Sequence, residues 1–207
     1  PNSVIEIENG AFYNCSRLIN VKLSDKLKLV GVYAFKNCTN IKNIEIPDTV
    51  EKISSGAFWG CVSLNNIKIN SPSISIENYA FSDCTSLESI ALPEGLESIE
   101  EYTFAGCSNL KSVQLDEKLN SIESNAFYEC SNLKNINLPE SLTSINDNSF
   151  YGCISLETIT IPANVKYISE NAFENCPSLN TIVVHENTYS YRVINKYYKD
   201  KVRIFGY

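Results

Sequence analysis

The chain has 207 residues, 43% of them hydrophobic, which is enough apolar material to bury a core in one or two domains. With 24 acidic against 17 basic side chains, its net charge of −7 argues against nucleic acid or an anionic membrane as partner, since both recruit basic surfaces. No apolar run approaches the roughly 20 residues of a membrane-spanning helix, so no membrane insertion is expected. The first residues lack the basic, apolar and small-residue regions of a signal peptide. The chain also has no methionine and begins at Pro1 inside a repeating pattern, so it reads as a piece of a longer precursor.

A single period runs through to Val184. Eight of the nine phenylalanines, Phe12, Phe35, Phe58, Phe81, Phe104, Phe127, Phe150 and Phe173, recur every 23 residues without a slip, and so do all eight cysteines from Cys15 to Cys176. Three aliphatic columns share the spacing: Leu18 to Leu179, Val21 to Ile182, and Leu23 to Val184. A proline column at Pro1, Pro47, Pro93, Pro139 and Pro162 and an isoleucine-rich column from Ile7 to Ile168 follow it too. One unit of this length cannot bury its own apolar face, whereas stacked units make a continuous core in which each column is a ladder. The expected fold is an α/β repeat: a right-handed solenoid with one parallel β-sheet and short helical turns, its rungs about 4.8 Å apart. Eight repeats fill residues 1–184, and a cap of a helix plus a short strand fills 185–207.

In chain order, each unit holds an alternating segment such as Ile136-Asn137-Leu138, the pattern of a half-buried strand, which the following proline ends. After a turn comes a small polar residue ahead of Ala-Phe, as in Ser124-Asn125-Ala126-Phe127, with room before the cysteine for one 3₁₀ or α turn. Two residues after each Phe stand Asn14, Asn37, Gly60, Asp83, Gly106, Glu129, Gly152 and Asn175. All but Glu129 are types that tolerate a left-handed backbone, so a tight turn belongs there. Beyond Val184 neither Ala-Phe nor cysteine returns, and five basic residues stand against two acids. There Tyr191, Ile194, Tyr197 and Tyr198 recur at helical spacing, and Val202-Arg203-Ile204-Phe205 reads as a strand closing the last rung. Solenoids need such atypical terminal units to cover a core that otherwise faces water.

The unit Leu133-x-x-Ile136-x-Leu138-Pro139-x-x-Leu142-x-x-Ile145, followed by Ser149-Phe150-x-x-Cys153, resembles the BspA-type leucine-rich repeats, and the resemblance covers residues 1–184. It implies a surface or secreted protein of the kind found in host-associated bacteria and some protozoa, serving adhesion or partner binding. The family pattern contains no catalytic residue.

The chemistry of the columns agrees with a non-enzyme. All eight cysteines hold one repeat position and point the same way into the core, where a free thiol behaves as a small hydrophobe. Parallel side chains on neighbouring rungs have the wrong relative orientation for a disulfide, and C-x-x-C or C/H spacing for zinc is missing. His185 is the only histidine and has no evident catalytic partner. Glu77, Glu100, Glu101 and Glu123 cluster at turn entries and read as a solvated face rather than the flanks of a hydrolytic cleft. No cofactor or metal is expected.

A binding solenoid varies the outward residues of its strands while keeping its core. Two outward columns qualify. One runs from Asn20 to Thr181, small and polar, and is equally readable as a hydrogen-bonding ladder. The other holds Lys22, Glu45, Lys68, Ala91, Gln114, Asn137, Thr160 and Val183 and is the more varied. Directly after each Phe a further column offers Tyr13, Trp59, Tyr128 and Tyr151, aromatics of the kind that anchor interfaces. The candidate partner-binding residues are therefore Lys22, Glu45, Lys68, Gln114, Asn137 and Thr160, with those four aromatics. The expected role is a monomeric cell-surface or secreted module that binds a protein or glycan ligand; the alternative is a structural spacer stalk of a larger surface protein.

Overall fold

The structure is a computed structural model that describes residues 2–205; Pro1 of the proline column lies outside them. Every strand of the repeats pairs in parallel with its counterpart 23 residues away, as with Ile44 and Ile67 or Ile122 and Ile145. The 23-residue period is thus one turn of a coil.

The strands form two ladders instead of the expected single sheet. One comprises Asn43–Ile46 with Asn66–Ile69, Ser89–Ala91 with Ser112–Gln114, and Thr158–Thr160 with Thr181–Val184. The other lies beyond the proline turn and is built from two-residue strands. Glu6–Ile7, Leu29–Val30, Lys52–Ile53 and Ser75–Ile76 make its first half, and Ser98–Ile99 through Tyr167–Ile168 its second. Two residues are too short to show an alternating pattern, which is why the isoleucine-rich column did not read as a strand. Conversely, Ile136-Asn137-Leu138 is not a regular strand, although Ile136 is buried and Asn137 exposed as the alternation requires.

The third side carries Ala-Phe-x-x-Cys, and it is turns rather than a helical turn. Amide donors alternate there between two uses. Ala34, Lys36 and Cys38 donate three residues back, to Gly31, Tyr33 and Phe35, at 3.0–3.1 Å. Tyr33, Phe35 and Asn37 donate to Ser55, Ala57 and Trp59 of the next rung at 2.7–3.0 Å. Because every second N–H is committed to the neighbouring rung, successive turn bonds cannot propagate into a helix.

The Phe ladder is the spine of the core. Phe35 to Phe173 are at most 1% exposed. Neighbouring rings stack with centroids 5.3–5.7 Å apart, offset contacts that add about 0.5–1.5 kcal/mol beyond burial. The first rung departs from the expected burial: Phe12 is 38% exposed and Cys15 is exposed. On the fourth rung Ser73 replaces the aliphatic residue that Leu27 and Val50 supply, and Ile74, one residue on, is buried in its stead.

The expected left-handed turn two residues after Phe is present on all eight rungs, Glu129 included, with φ between +54° and +73°. Side chains there lean over the next rung, which explains why glycine follows Asn37 and Asp83 in the column: a Cβ at Gly60 or Gly106 would run into their Oδ1 atoms.

After Val184 the chain leaves the repeat. Thr188 caps helix α1 (Tyr189–Tyr197) by accepting from the Tyr191 amide at 3.1 Å, and Ile194 is fully buried. Tyr198 then meets the end of the Phe ladder edge-on, its centroid 5.9 Å from Phe173, and its hydroxyl donates to Glu170 O at 2.8 Å. Val202–Ile204 adds a parallel strand beside Thr181–Val184.

Candidate binding surfaces

On the longer-stranded ladder the inward columns are fixed by packing, so whatever varies must point outward. Lys22, Glu45, Lys68, Gln114, Asn137 and Thr160 are all exposed there. Two shallow grooves run along this face. One is lined by Lys22, Glu45, Lys68 and Asn70, the other by Ser89, Gln114 and Asn137. Glu45 and Lys68 are paired with each other at 3.0 Å across the rungs. The hydrogen bond from Asn70, then that from Lys68, holds the Glu45 carboxyl below its ordinary pKa. In the adjoining small polar column only Thr181 makes a side-chain hydrogen bond among the described residues, so the hydrogen-bonding ladder is not there. Such bonds lie elsewhere, for example from Asn40 to Ser16 O and from Asn109 to Thr85 O.

The aromatic residues form a second surface, and it is larger than the sequence candidates. Seven successive rungs each place one aromatic on the edge beside the Ala-Phe turn, drawn from two positions three residues apart. Tyr13, Trp59, Tyr128 and Tyr151 come from the position after Phe; Tyr33, Tyr79 and Tyr102 come from the position before Ala. Where one position is aromatic the other is never so: Gly10, Gly56, Asn125 and Asn148 accompany the first set, and Lys36, Ser82 and Ala105 the second. Trp59, Tyr79 and Tyr102 stack, with centroids 5.2 and 4.6 Å apart, Tyr33 meets Trp59 at 6.2 Å with its plane tilted by 54°, and Tyr128 stacks on Tyr151 at 4.9 Å. From Trp59 to Tyr102, and between Tyr128 and Tyr151, the ring faces are turned toward each other, so those stacks present ring edges and phenol groups to solvent. Burial, and then the neighbouring Tyr102, raises the Tyr79 pKa, which keeps that phenol a neutral donor.

Tyr33, Tyr79 and Tyr102 were missed by the sequence reading because they occupy a left-handed backbone, with φ of +55°, +61° and +56°. The same repeat position is Gly10, Gly56, Asn125 and Asn148 on other rungs, also at positive φ. For a bulky residue this conformation costs about 1–2 kcal/mol, and side chains that persist in it cluster at functional sites. The available signal was the return of tyrosine to one repeat position, two rungs apart from Tyr33 to Tyr79 and one rung apart from Tyr79 to Tyr102.

The edge is acidic. Asp83 accepts from the Trp59 indole at 2.9 Å, Glu101 gives its carbonyl to the Tyr79 amide at 2.9 Å, and Glu129 follows Tyr128 directly. None of these three carboxylates is in an ion pair among the described residues. Among the described residues a single cation sits on these rings: Lys36 Nζ lies 3.4 Å from the Trp59 ring centre and 4.6 Å from that of Tyr33.

The groups that enter enzyme chemistry are differently disposed. Each thiol from Cys38 to Cys176 donates to the carbonyl of the Phe 26 residues earlier, at 3.0–3.3 Å. All eight cysteines are unpaired and seven are buried. Burial pushes Cys38 and Cys176 up to about 11 and Cys61 to about 12, so these thiols stay protonated and unreactive at neutral pH. His185 stacks on Phe205 at 4.8 Å. Of the turn-entry acids, Glu77 pairs with Lys52, Glu100 accepts from Ser98, and Glu123 accepts from Asn146 at 2.9 Å.

Parallel rungs closed over a thiol and phenylalanine core define a tandem-repeat solenoid. Residues 1–86 and 74–198 match the BspA type leucine-rich repeat region in six copies, and the chain belongs to that family. Among solved structures it is similar to a leucine-rich repeat protein from Bacteroides ovatus, at 27% identity and a TM-score of 0.74 over 89% of this chain and 54% of that one. The chain therefore spans about half the length of that protein. A leucine-rich repeat protein from Eubacterium ventriosum is 22% identical, with a TM-score of 0.57 over 84% of this chain and 41% of that one. A leucine rich cell surface protein from Faecalibacterium prausnitzii is 22% identical, with a TM-score of 0.52 over 100% and 78% of the respective chains. The last two share the fold. Among curated proteins none matches the chain significantly. No helix among the described residues is long and apolar enough to cross a membrane.

Proposed function

We propose that this chain is a monomeric binding module, displayed at a cell surface or secreted, that presents its long-stranded face to a protein or glycan ligand and performs no reaction of its own. The observation that carries this reading is the contrast within one face. The inward positions are uniformly aliphatic, while the exposed positions from Lys22 to Thr160 change from rung to rung, and those from Lys22 to Asn137 line two grooves. A stalk that only sets distance has no use for such variation. Membership in a leucine-rich repeat family supports an interaction role, and the surface placement accords with the F. prausnitzii protein of the same fold, which is named for the cell surface.

The test is binding of purified extracellular proteins and soluble glycans to the immobilised chain, with Gln114→Lys/Asn137→Lys beside the parent. The reading expects one saturable partner whose affinity falls about tenfold or more in the double variant, while Asn164→Lys, on an outer turn, changes nothing. Equal losses from both substitutions, or no partner for the parent chain, would contradict it.

A further inference from the structure

We infer that the aromatic edge is a second docking surface, one that takes a lysine- or arginine-rich extended segment of a partner protein. The fold does not need these rings. On the rungs that lack an aromatic at one of the two positions, glycine, asparagine, alanine, serine or lysine serves, and the eighth rung carries none at either. Three tyrosines nevertheless stand where the backbone is left-handed, and they line up with Trp59, Tyr128 and Tyr151 so that six consecutive rungs form one strip.

Charge selects the occupant. Asp83, Glu101 and Glu129 edge the strip without ion-pair partners among the described residues, so a cationic segment gains from them and an anionic one is repelled. Lys36 shows that the strip holds a cation: its ammonium group lies over Trp59, where the Tyr33 ring is tilted by 54°. From Tyr79 to Tyr151 no side chain of the protein itself fills that role among the described residues. Lysine and arginine stems of a partner laid along the strip cover the ring edges, and their heads reach the carboxylates beside them. Glycan stacking is a poorer fit, because a sugar needs ring faces and those between Trp59 and Tyr102, and between Tyr128 and Tyr151, are turned toward one another.

The experiment uses the intact chain and its single tryptophan, Trp59, which lies in the strip and reports on it by fluorescence. The probe is a short synthetic peptide of alternating lysine and glycine, with the glutamate counterpart as control. Saturable fluorescence change is expected with the lysine peptide alone, weakening as salt is raised to about 0.5 M. Asp83→Asn/Glu101→Gln/Glu129→Gln should weaken it about tenfold. Tyr102→Asn should also weaken it; asparagine holds the same left-handed position on the next two rungs, so this variant is expected to fold, and circular dichroism verifies that it has. Gln114→Lys, on the strand face, should leave it unchanged.

An absent response, equal response to both peptides, or undiminished affinity in the carboxylate variant would overturn the inference. So would a response to raised protein concentration without peptide, which would make the occupant a second copy of this chain. If Gln114→Lys abolishes binding and the edge variants do not, the cationic segment belongs to the strand face. The edge assignment then falls while the function proposed above stands.

Discussion

Replacing Tyr102 by asparagine separates decoration from support. Tyr102 sits at φ +56°, a conformation that costs a tyrosine about 1–2 kcal/mol and asparagine much less. Its ring stacks on Tyr79 at 4.6 Å and 5°, a contact contributing about 0.5–1.5 kcal/mol. The two effects oppose and are of similar size, so Tyr102→Asn is expected to change stability by no more than about 1 kcal/mol in either direction. A buried aromatic truncated in a core costs about 3–5 kcal/mol instead, the loss expected for Phe104→Ala on the same rung. Urea denaturation followed by far-ultraviolet circular dichroism measures both variants under one set of conditions. A loss of about 3 kcal/mol or more in Tyr102→Asn would show that the aromatic edge holds the coil together, and the argument that it is retained for binding would fail.

Ser149 stands where Ala34, Ala57, Ala80, Ala126 and Ala172 stand on other rungs, and its buried hydroxyl has no partner among the described residues. Ser149→Ala should therefore raise stability by about 1 kcal/mol, removing an unsatisfied group that costs about 1–3; a lower urea midpoint would refute this. The raised thiol pKa values favour the folded state below the ordinary thiol value of 9.0, because only unfolded thiols ionise readily above it. Stability should thus be whole at neutral pH and fall as pH rises from about 9 toward 11–12, where Cys38, Cys176 and Cys61 titrate; midpoints unchanged up to pH 11 would contradict it. In the native protein at pH 8, a thiol reagent should label Cys15 alone quickly, and all eight cysteines after denaturation. Deleting residues 186–207 removes Ile194 and Tyr198 and bares Phe173, Ile182 and Val184. At about 1.5–3 kcal/mol for each buried side chain, most of a typical 5–15 kcal/mol stability is at stake, so the truncated chain should melt well below the parent and self-associate. An unchanged melting curve would show that the tail does not cap the coil.

Much of the fold was legible because a fixed period constrains every rung at once. The Phe, Cys and aliphatic columns located the core, and Asn, Gly and Asp after Phe located one left-handed turn on each rung. What escaped notice is just as physical. A column reveals which residue recurs, not which backbone bonds it makes. The rung-to-rung hydrogen bonds that suppress a helical turn at Phe35, and the thiol-to-carbonyl bonds that hold the cysteines from Cys38 to Cys176, have no signature in composition. The second left-handed position was hidden because Tyr33, Tyr79 and Tyr102 contradict local preference. Sequence logic is expected to fail where a residue is kept for a purpose other than folding. Of the aromatic edge, only the four residues that share the position after Phe were recognised. The partner set by itself shows an irregular run of glycine, tyrosine and asparagine, and its meaning emerges once the two positions are seen to alternate on one strip.

The central claim, that the variable strand face is where a partner docks, is tested most directly by site-specific photo-crosslinking. A photoreactive residue is placed at Gln114 in one protein and at Asn164, on an outer turn, in another. Each is irradiated with the partner found in the binding survey. The account predicts a covalent adduct from position 114 and none from 164, competed away by the unlabelled parent but not by Gln114→Lys/Asn137→Lys. Adducts of equal yield from both positions, or from 164 alone, would contradict it.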